Sequence, residues 1–231
     1  MYLYLMIFLF VFYVLGILIV NKVNIRSEKI ANFIFGSVIF VSYIYCVYKI
    51  YLSVGVNDWN FFNALPVANV SPFMYVFSFF CLFFPKKIQK YVLLLISLLS
   101  FAMFCAGILS CVSYIMRHYA FHFTIALDAF VHVLLSLYGV YLVKSGQVKL
   151  SKTKDVVVSG GIIVGVAIIM MVFNLIFDTS FFGLSLYGKH NIYNMVLVGN
   201  SIVSAFIYFG GLCLLLVGGY YFQKIINAKK D

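Results

Sequence analysis

Seven apolar stretches, each long enough to cross a bilayer, constrain this chain more than anything else in it. A hydrocarbon core about 30 Å thick is spanned by roughly 20 helical residues. Tyr2–Val20, Ala31–Val54, Phe61–Phe84, Tyr91–Tyr114, Phe121–Val143, Val156–Phe177 and Met195–Phe222 all suit that length. In lipid, backbone polar groups must be satisfied within the protein, which leaves helices or closed barrels. The short alternating strands of a barrel are absent from the sequence. The expectation is an all-α polytopic membrane protein: a seven-transmembrane-helix bundle forming one domain over residues 1–231. The composition, 65% apolar and 10% charged with a mean hydropathy of +1.10, exceeds what a soluble domain of this size needs. Tyr2–Val20 lacks a basic n-region and a small-residue cleavage site, so it reads as a retained first helix.

Charge assigns the sides. Lys22, Arg26, Lys29, Lys86, Lys87, Lys90, Lys144, Lys149, Lys152, Lys154, Lys224, Lys229 and Lys230 all fall on one side of the alternating helices. Only Lys49, Arg117 and Lys189 fall on the other. Basic residues concentrate in cytoplasmic loops, so the N-terminus is expected outside and the C-terminus in the cytoplasm. The net charge of +10 is therefore a membrane signal, and no nucleic-acid partner is expected. The abundance of Phe, Tyr, Ile, Asn and Lys is the bias of an AT-rich genome and points to a bacterial cell membrane. The five cysteines lie within or at the ends of apolar spans with no CxxC pair, and read as small core residues.

Against this background, Asp128 and His132 stand out. They are four residues apart inside the fifth apolar segment. An ionisable residue at bilayer depth costs roughly 2.5 to 3.5 kcal/mol on insertion scales, so it is usually kept in a bundle interior or a wet cavity. Counting from Phe121 at 1.5 Å per residue, Asp128 lies roughly 10 Å deep and His132 roughly 17 Å deep. Thr124, Asp128 and His132 share one helical face. Asp128 can hydrogen-bond His132, fix its tautomer and raise its basicity. His122, Asn63, Asn69, Asn174, Asp178, Asn200 and Lys49 fall in or near the same outer half, and few comparable groups fall in the inner halves. A polar cavity open to the outer leaflet, with His132 at its floor, is the expectation. The apolar link Asp178–Asn194 could lie over it as a lid. Pro66 and Pro72 interrupt the third segment at the same depth. Gly161 and Gly165, and Gly211 and Gly218, read as helix-packing positions. No metal site is expected, since Asp178 or His122 would have to supply a third ligand that spacing does not place. His118 and His190 read as loop residues. No Gly-rich nucleotide loop, HExxH or haem signature occurs, so no cofactor is expected.

Three stretches carry a family resemblance. WNFFNALPVANVSP, Trp59–Pro72, resembles the motif near the third helix of the YwaF family of bacterial integral membrane proteins. FHFTIALDAFVHVLLSLYGVYLV, Phe121–Val143, and NLIFDTSFFGL, Asn174–Leu184, are similar to later family motifs in order and spacing. Eukaryotic relatives of that family are membrane acyltransferases thought to use a Cys and a His on phospholipid acyl chains. The resemblance implies that His132 matches the family's His and Asn174 its Asn. The family's Cys falls at Val70 and its preceding polar position at Ala68, so the nucleophile does not carry over. Ser71 or Thr124 takes its place, or only a lipid-binding cavity is left.

Three functions fit. The first is lipid acyl transfer or ester hydrolysis: His132 as general base, Asp128 orienting it, Ser71 or Thr124 as nucleophile, and Asn69 and Asn174 facing the oxyanion. Asp178, His122, Asn63 and Asn200 would then line the substrate path, with membrane lipids as partners. The second is a component that binds or transports a small solute or lipid beside an energising membrane-protein partner. The third is a structural membrane subunit of a complex, whose polar residues contact partner helices.

Overall fold

The computed structural model of the chain describes residues 1–22, 28–55, 65, 69–116, 122–150, 153–177 and 201–227. They form seven α-helices: α1 Tyr2–Lys22, α2 Glu28–Val54, α3 Val70–Phe80, α4 Lys86–Met116, α5 Phe123–Lys144, α6 Thr153–Phe177 and α7 Ser201–Asn227. A 3-10 turn, Cys81–Phe83, follows α3, and the described residues contain no strand. Six of the helices are long and apolar enough to cross a membrane, so the chain is a helical multi-pass membrane protein. The exception is α3, whose apolar helical run covers only Val70–Phe83. The expected third span, Phe61–Phe84, is therefore not one continuous helix. Asn69 is extended, with φ −146° and ψ 158°, and the helix starts after it. Pro72 does not kink that helix. It sits in the first turn, where a missing N–H breaks no internal bond.

Elsewhere, local chemistry ends the helices. Gly55 follows α2 at φ 77° and Gly146 follows α5 at φ 80°. Both take the left-handed conformation that caps a helix C-terminus and that a side chain disfavours. At α5 the turn is closed by Ser145 N–H to the Tyr141 carbonyl (2.8 Å) and Gly146 N–H to that of Val143 (3.1 Å).

The most buried helices are α4 and α5, and the least buried are α1 and α6, whose exposed side chains are largely apolar. That distribution suits a lipid solvent, where apolar side chains face outward. Between helices in lipid there is no hydrophobic drive, so close packing and polar contacts hold them together. Small residues provide the approach. A Cβ on Gly107 of α4 would come 2.8 Å from the Ala129 carbonyl oxygen of α5. One on Gly139 of α5 would come 2.8 Å from the Ile96 carbonyl oxygen of α4. Gly219 of α7 lies directly against the Leu98 carbonyl of α4. The glycines expected to pack make no such close approach among the described residues. Gly161, Gly165 and Gly211 have no described atom within 4 Å of where a Cβ would stand, and Gly218 meets Phe101 at 3.8 Å. Spacing shows that two glycines share a face; it does not show that the face has a neighbour.

Polar contacts tie the ends of the bundle. At one end, Asn32 Nδ2 donates to Gln147 Oε1 (2.7 Å) and Lys90 Nζ pairs with Asp155 Oδ2 (2.5 Å). Gln223 Nε2 there donates to Ser100 Oγ (2.7 Å) and the Ser97 carbonyl (3.2 Å). This joins the starts of α2, α4 and α6 to the ends of α5 and α7. At the other end, His122 N–H donates to Tyr2 Oη (3.0 Å), and the Cys46 thiol to the Thr124 carbonyl (3.7 Å). The helix termini carrying Lys29, Lys86, Lys87, Lys90, Lys144, Lys154 and Lys224 thus gather at the first of these ends.

Replacing Gly107 by Leu should destabilise the bundle by about 1–3 kcal/mol through overpacking. Gly161→Ala and Gly165→Ala should be close to neutral. Unfolding by SDS titration in mixed micelles compares them, and equal losses at all three sites would contradict this packing.

Candidate functional site

The site begins where regular backbone begins. Asn69 precedes α3, so Val70, Ser71 and Pro72 form its first turn. Ser71 and Tyr75 are four residues apart and share one face of that helix. Asp128 and His132 share a face of α5 by the same rule. The two pairs meet. His132 Nε2 lies 3.0 Å from Ser71 Oγ, and its Nδ1 lies 2.5 Å from Tyr75 Oη. The imidazole is thus held between two hydroxyls one helical turn apart.

Asp128 approaches the other side of the ring. Its Oδ2 is 3.4 Å from His132 Nδ1 and its Oδ1 is 3.4 Å from Tyr75 Oη. Its backbone carbonyl oxygen is closer, 2.9 Å from Nδ1. A carbonyl only accepts, so this contact calls for the proton on Nδ1. Nε2 then carries the lone pair and accepts from the Ser71 hydroxyl. Burial is unequal: Tyr75 is 1% exposed and His132 6%, while the Asp128 side chain is 44% exposed. A buried imidazole is therefore linked to a carboxylate that is partly exposed.

Packing fixes the ring from behind. A Cβ on Gly107 would come 3.2 Å from His132 Cβ, so α4 meets α5 at this residue. The Tyr75 ring stands edge-on to His132, with centroids 5.3 Å apart, and Tyr43 of α2 lies 5.6 Å from Tyr75.

Of the residues singled out in the sequence, the structure brings Ser71, Asp128 and His132 together, with Asn69 at the adjoining helix start. Thr124 lies two helical turns from His132 and is rotated from it by about 80° on the helix. Its carbonyl takes the Cys46 thiol. His122 is exposed before α5 and bonds Tyr2. Asn174 is buried on α6, which packs mainly on α4. Asn63, Asp178 and Asn200, the link Asp178–Asn194, Pro66, His118 and His190 lie outside the described residues. Among the described residues, no three His, Cys, Asp or Glu side chains are grouped to hold a metal ion, and all five cysteines are free thiols.

Tyr75 is the residue that sequence reasoning missed. Its signal was its spacing of four from Ser71, hidden among the aromatic residues of an apolar segment. The Tyr13–Ser136 hydrogen bond (2.8 Å) and the Gln223 cluster were also unanticipated, and both are interhelical ties. No family model matches the chain, and no curated protein or solved structure does either.

The contact between Ser71 and His132 can be read as a coupling energy. In a double-mutant cycle of Ser71→Ala and His132→Ala, unfolding should show about 0.5–1.5 kcal/mol of coupling. The same cycle with Thr124→Ala should be additive to within about 0.5 kcal/mol. Coupling at Thr124 in place of Ser71 would contradict the geometry.

Proposed function

We propose that this protein is a serine-dependent membrane enzyme that transfers or hydrolyses lipid acyl esters within the outer leaflet. The observation that carries this reading is the 3.0 Å contact between Ser71 Oγ and His132 Nε2, with Asp128 beside the other ring nitrogen. A nucleophile bonded to a base, itself held by a third group, is the arrangement that activates a hydroxyl.

Each element has a role in that chemistry. His132 Nε2 takes the Ser71 proton as the oxygen attacks the ester carbonyl. The tetrahedral oxyanion forms beside the first turn of α3, whose leading amides have no partner inside the helix. The positive end of the helix dipole favours the same charge. Collapse returns the proton from Nε2 to the departing alcohol and leaves an acyl group on Ser71. Water or a second alcohol, deprotonated by the same nitrogen, then removes it. Asp128 balances the imidazolium.

Depth supports a lipid substrate. From Val70, α3 rises about 17 Å over its length, little more than half of a hydrocarbon core about 30 Å thick. With Lys86 and Lys87 at the cytoplasmic interface, Ser71 lies near the middle of the bilayer, close to the level counted for His132. The basic end of the bundle is the cytoplasmic end in this reading, with the N-terminus outside. The resemblance to the YwaF family points the same way, with a serine hydroxyl one residue after the position of the family's Cys.

A solute-binding or transport role is the second reading. It draws on the Asp128 side chain, 44% exposed in a membrane-spanning helix, as a contact for a cationic solute. Co-purification with an ATPase and no lipid turnover would favour it.

A fluorophosphonate probe should label the purified protein in nanodiscs at Ser71. Ser71→Ala should abolish labelling, His132→Ala should slow it about a hundredfold or more, and Thr124→Ala should leave it unchanged. Wild-type labelling no greater than that of Ser71→Ala would sink the enzyme reading. Orientation is checked separately in a cysteine-free variant carrying Lys149→Cys. An impermeant maleimide should react only after the cells are permeabilised, and reaction in intact cells would invert the topology.

A further inference from the structure

Tyr75 has two possible hydrogen-bonding directions, and they have opposite consequences for His132. At 2.5 Å from Nδ1, its hydroxyl either donates to that nitrogen or accepts from it. Donation would require a bare Nδ1 and place the ring proton on Nε2, facing Ser71. His132 could not then take the serine proton. Acceptance requires Nδ1–H, leaves Nε2 free for Ser71, and obliges the Tyr75 proton to find another acceptor. Tyr75 is 1% exposed, so water is not at hand. Among the described residues, the acceptor it meets besides the ring is Asp128 Oδ1, at 3.4 Å.

We infer that Tyr75 is a tautomer-setting residue whose direction is controlled by Asp128. The carboxylate takes the Tyr75 proton, the phenolic oxygen accepts from His132 Nδ1–H, and Nε2 is left as the base. The Asp128 carbonyl, 2.9 Å from Nδ1, favours the same tautomer. Two acceptor-only groups of one residue thus orient a chain from Asp128 through Tyr75 and His132 to Ser71. No proton is gained or lost along it while the site is at rest. Tyr75 touches the base and not the substrate, so it is a positioning residue. Its catalytic consequence rests on the reading of Ser71 as nucleophile, but the tautomer it sets does not.

The arrangement predicts a suppression that a structural tie would not produce. In Asp128→Leu the acceptor is gone, so Tyr75 donates into Nδ1 and the proton moves to Nε2. Adding Tyr75→Phe removes that donor while keeping the ring, and the backbone carbonyl restores Nδ1–H. Nitrogen-15 NMR of histidine-labelled protein in nanodiscs reads the tautomer, with His132→Gln identifying the signals among the four histidines. The wild type and the double variant should show Nδ1–H, and Asp128→Leu should show Nε2–H. Fluorophosphonate labelling of Ser71 should fall at least tenfold in Asp128→Leu and recover at least in part in the double variant. An Asp128→Leu protein that keeps Nδ1–H, or a double variant that keeps Nε2–H, overturns the inference. If wild-type Ser71 is not labelled while the tautomers switch as expected, the enzyme reading fails and the role of Tyr75 stands.

Discussion

The approach of α4 to α5 at Gly107 is the constraint on which the polar site depends. With only a hydrogen on Gly107, the Ala129 carbonyl and His132 Cβ come against the α4 backbone. From there the imidazole reaches α3, where it meets Ser71 and Tyr75. Gly139 repeats the device further along α5, so the pairing is close at two levels rather than at one point. Lipid gives no hydrophobic reason for helices to associate. Close backbone contact therefore does the work that core burial does in water, and it sets where the histidine stands.

Polar side chains supply the second kind of attachment, and they divide by role. Tyr13–Ser136 and the Gln223 contacts with Ser97 and Ser100 are closed pairs or triads between buried neutral groups. Such groups bond across helices because the alternative in hydrocarbon is an unsatisfied donor. The Ser71–His132–Tyr75–Asp128 chain differs in two respects. It contains titratable groups, and it ends in a carboxylate side chain that is 44% exposed. A tie between helices gains nothing from leaving one end open. On the proposed reading, that exposed end is where the site meets its substrate.

The sequence made the helices legible because apolar length is a property of a segment by itself. Six of the seven expected spans appear as long apolar helices near the expected boundaries. The Asp128–His132 spacing was legible for the same reason, since both residues lie on one helix. What could not be read depended on neighbours. Pro72 looked like a kink because the extended Asn69 before it is not visible in the sequence. Gly161 and Gly165 looked like a packing face, although among the described residues nothing lies within 4 Å of where their Cβ atoms would stand. Ser71 and Thr124 were equivalent as candidates until α3 was placed, and the 3.0 Å contact with Ser71 separates them. Tyr75 was one tyrosine among 18, and only its partner distinguishes it.

The short length of α3 connects these observations. A continuous span from Phe61 to Phe84 would satisfy Ser71 and its neighbours within the helix and leave their amides bonded to preceding carbonyls. Starting the helix at Val70 leaves its leading amides without a partner inside the helix. It also puts Ser71 in the first turn, beside those amides. Pro72 reinforces the start, because the position it occupies has no use for an N–H in the helix. On the proposed reading, one interruption in a hydrophobic segment therefore places the nucleophile, supplies oxyanion donors and keeps both within reach of a base on the neighbouring helix. Restoring that helix would bury the same residues as ordinary core, with the same composition and none of the chemistry.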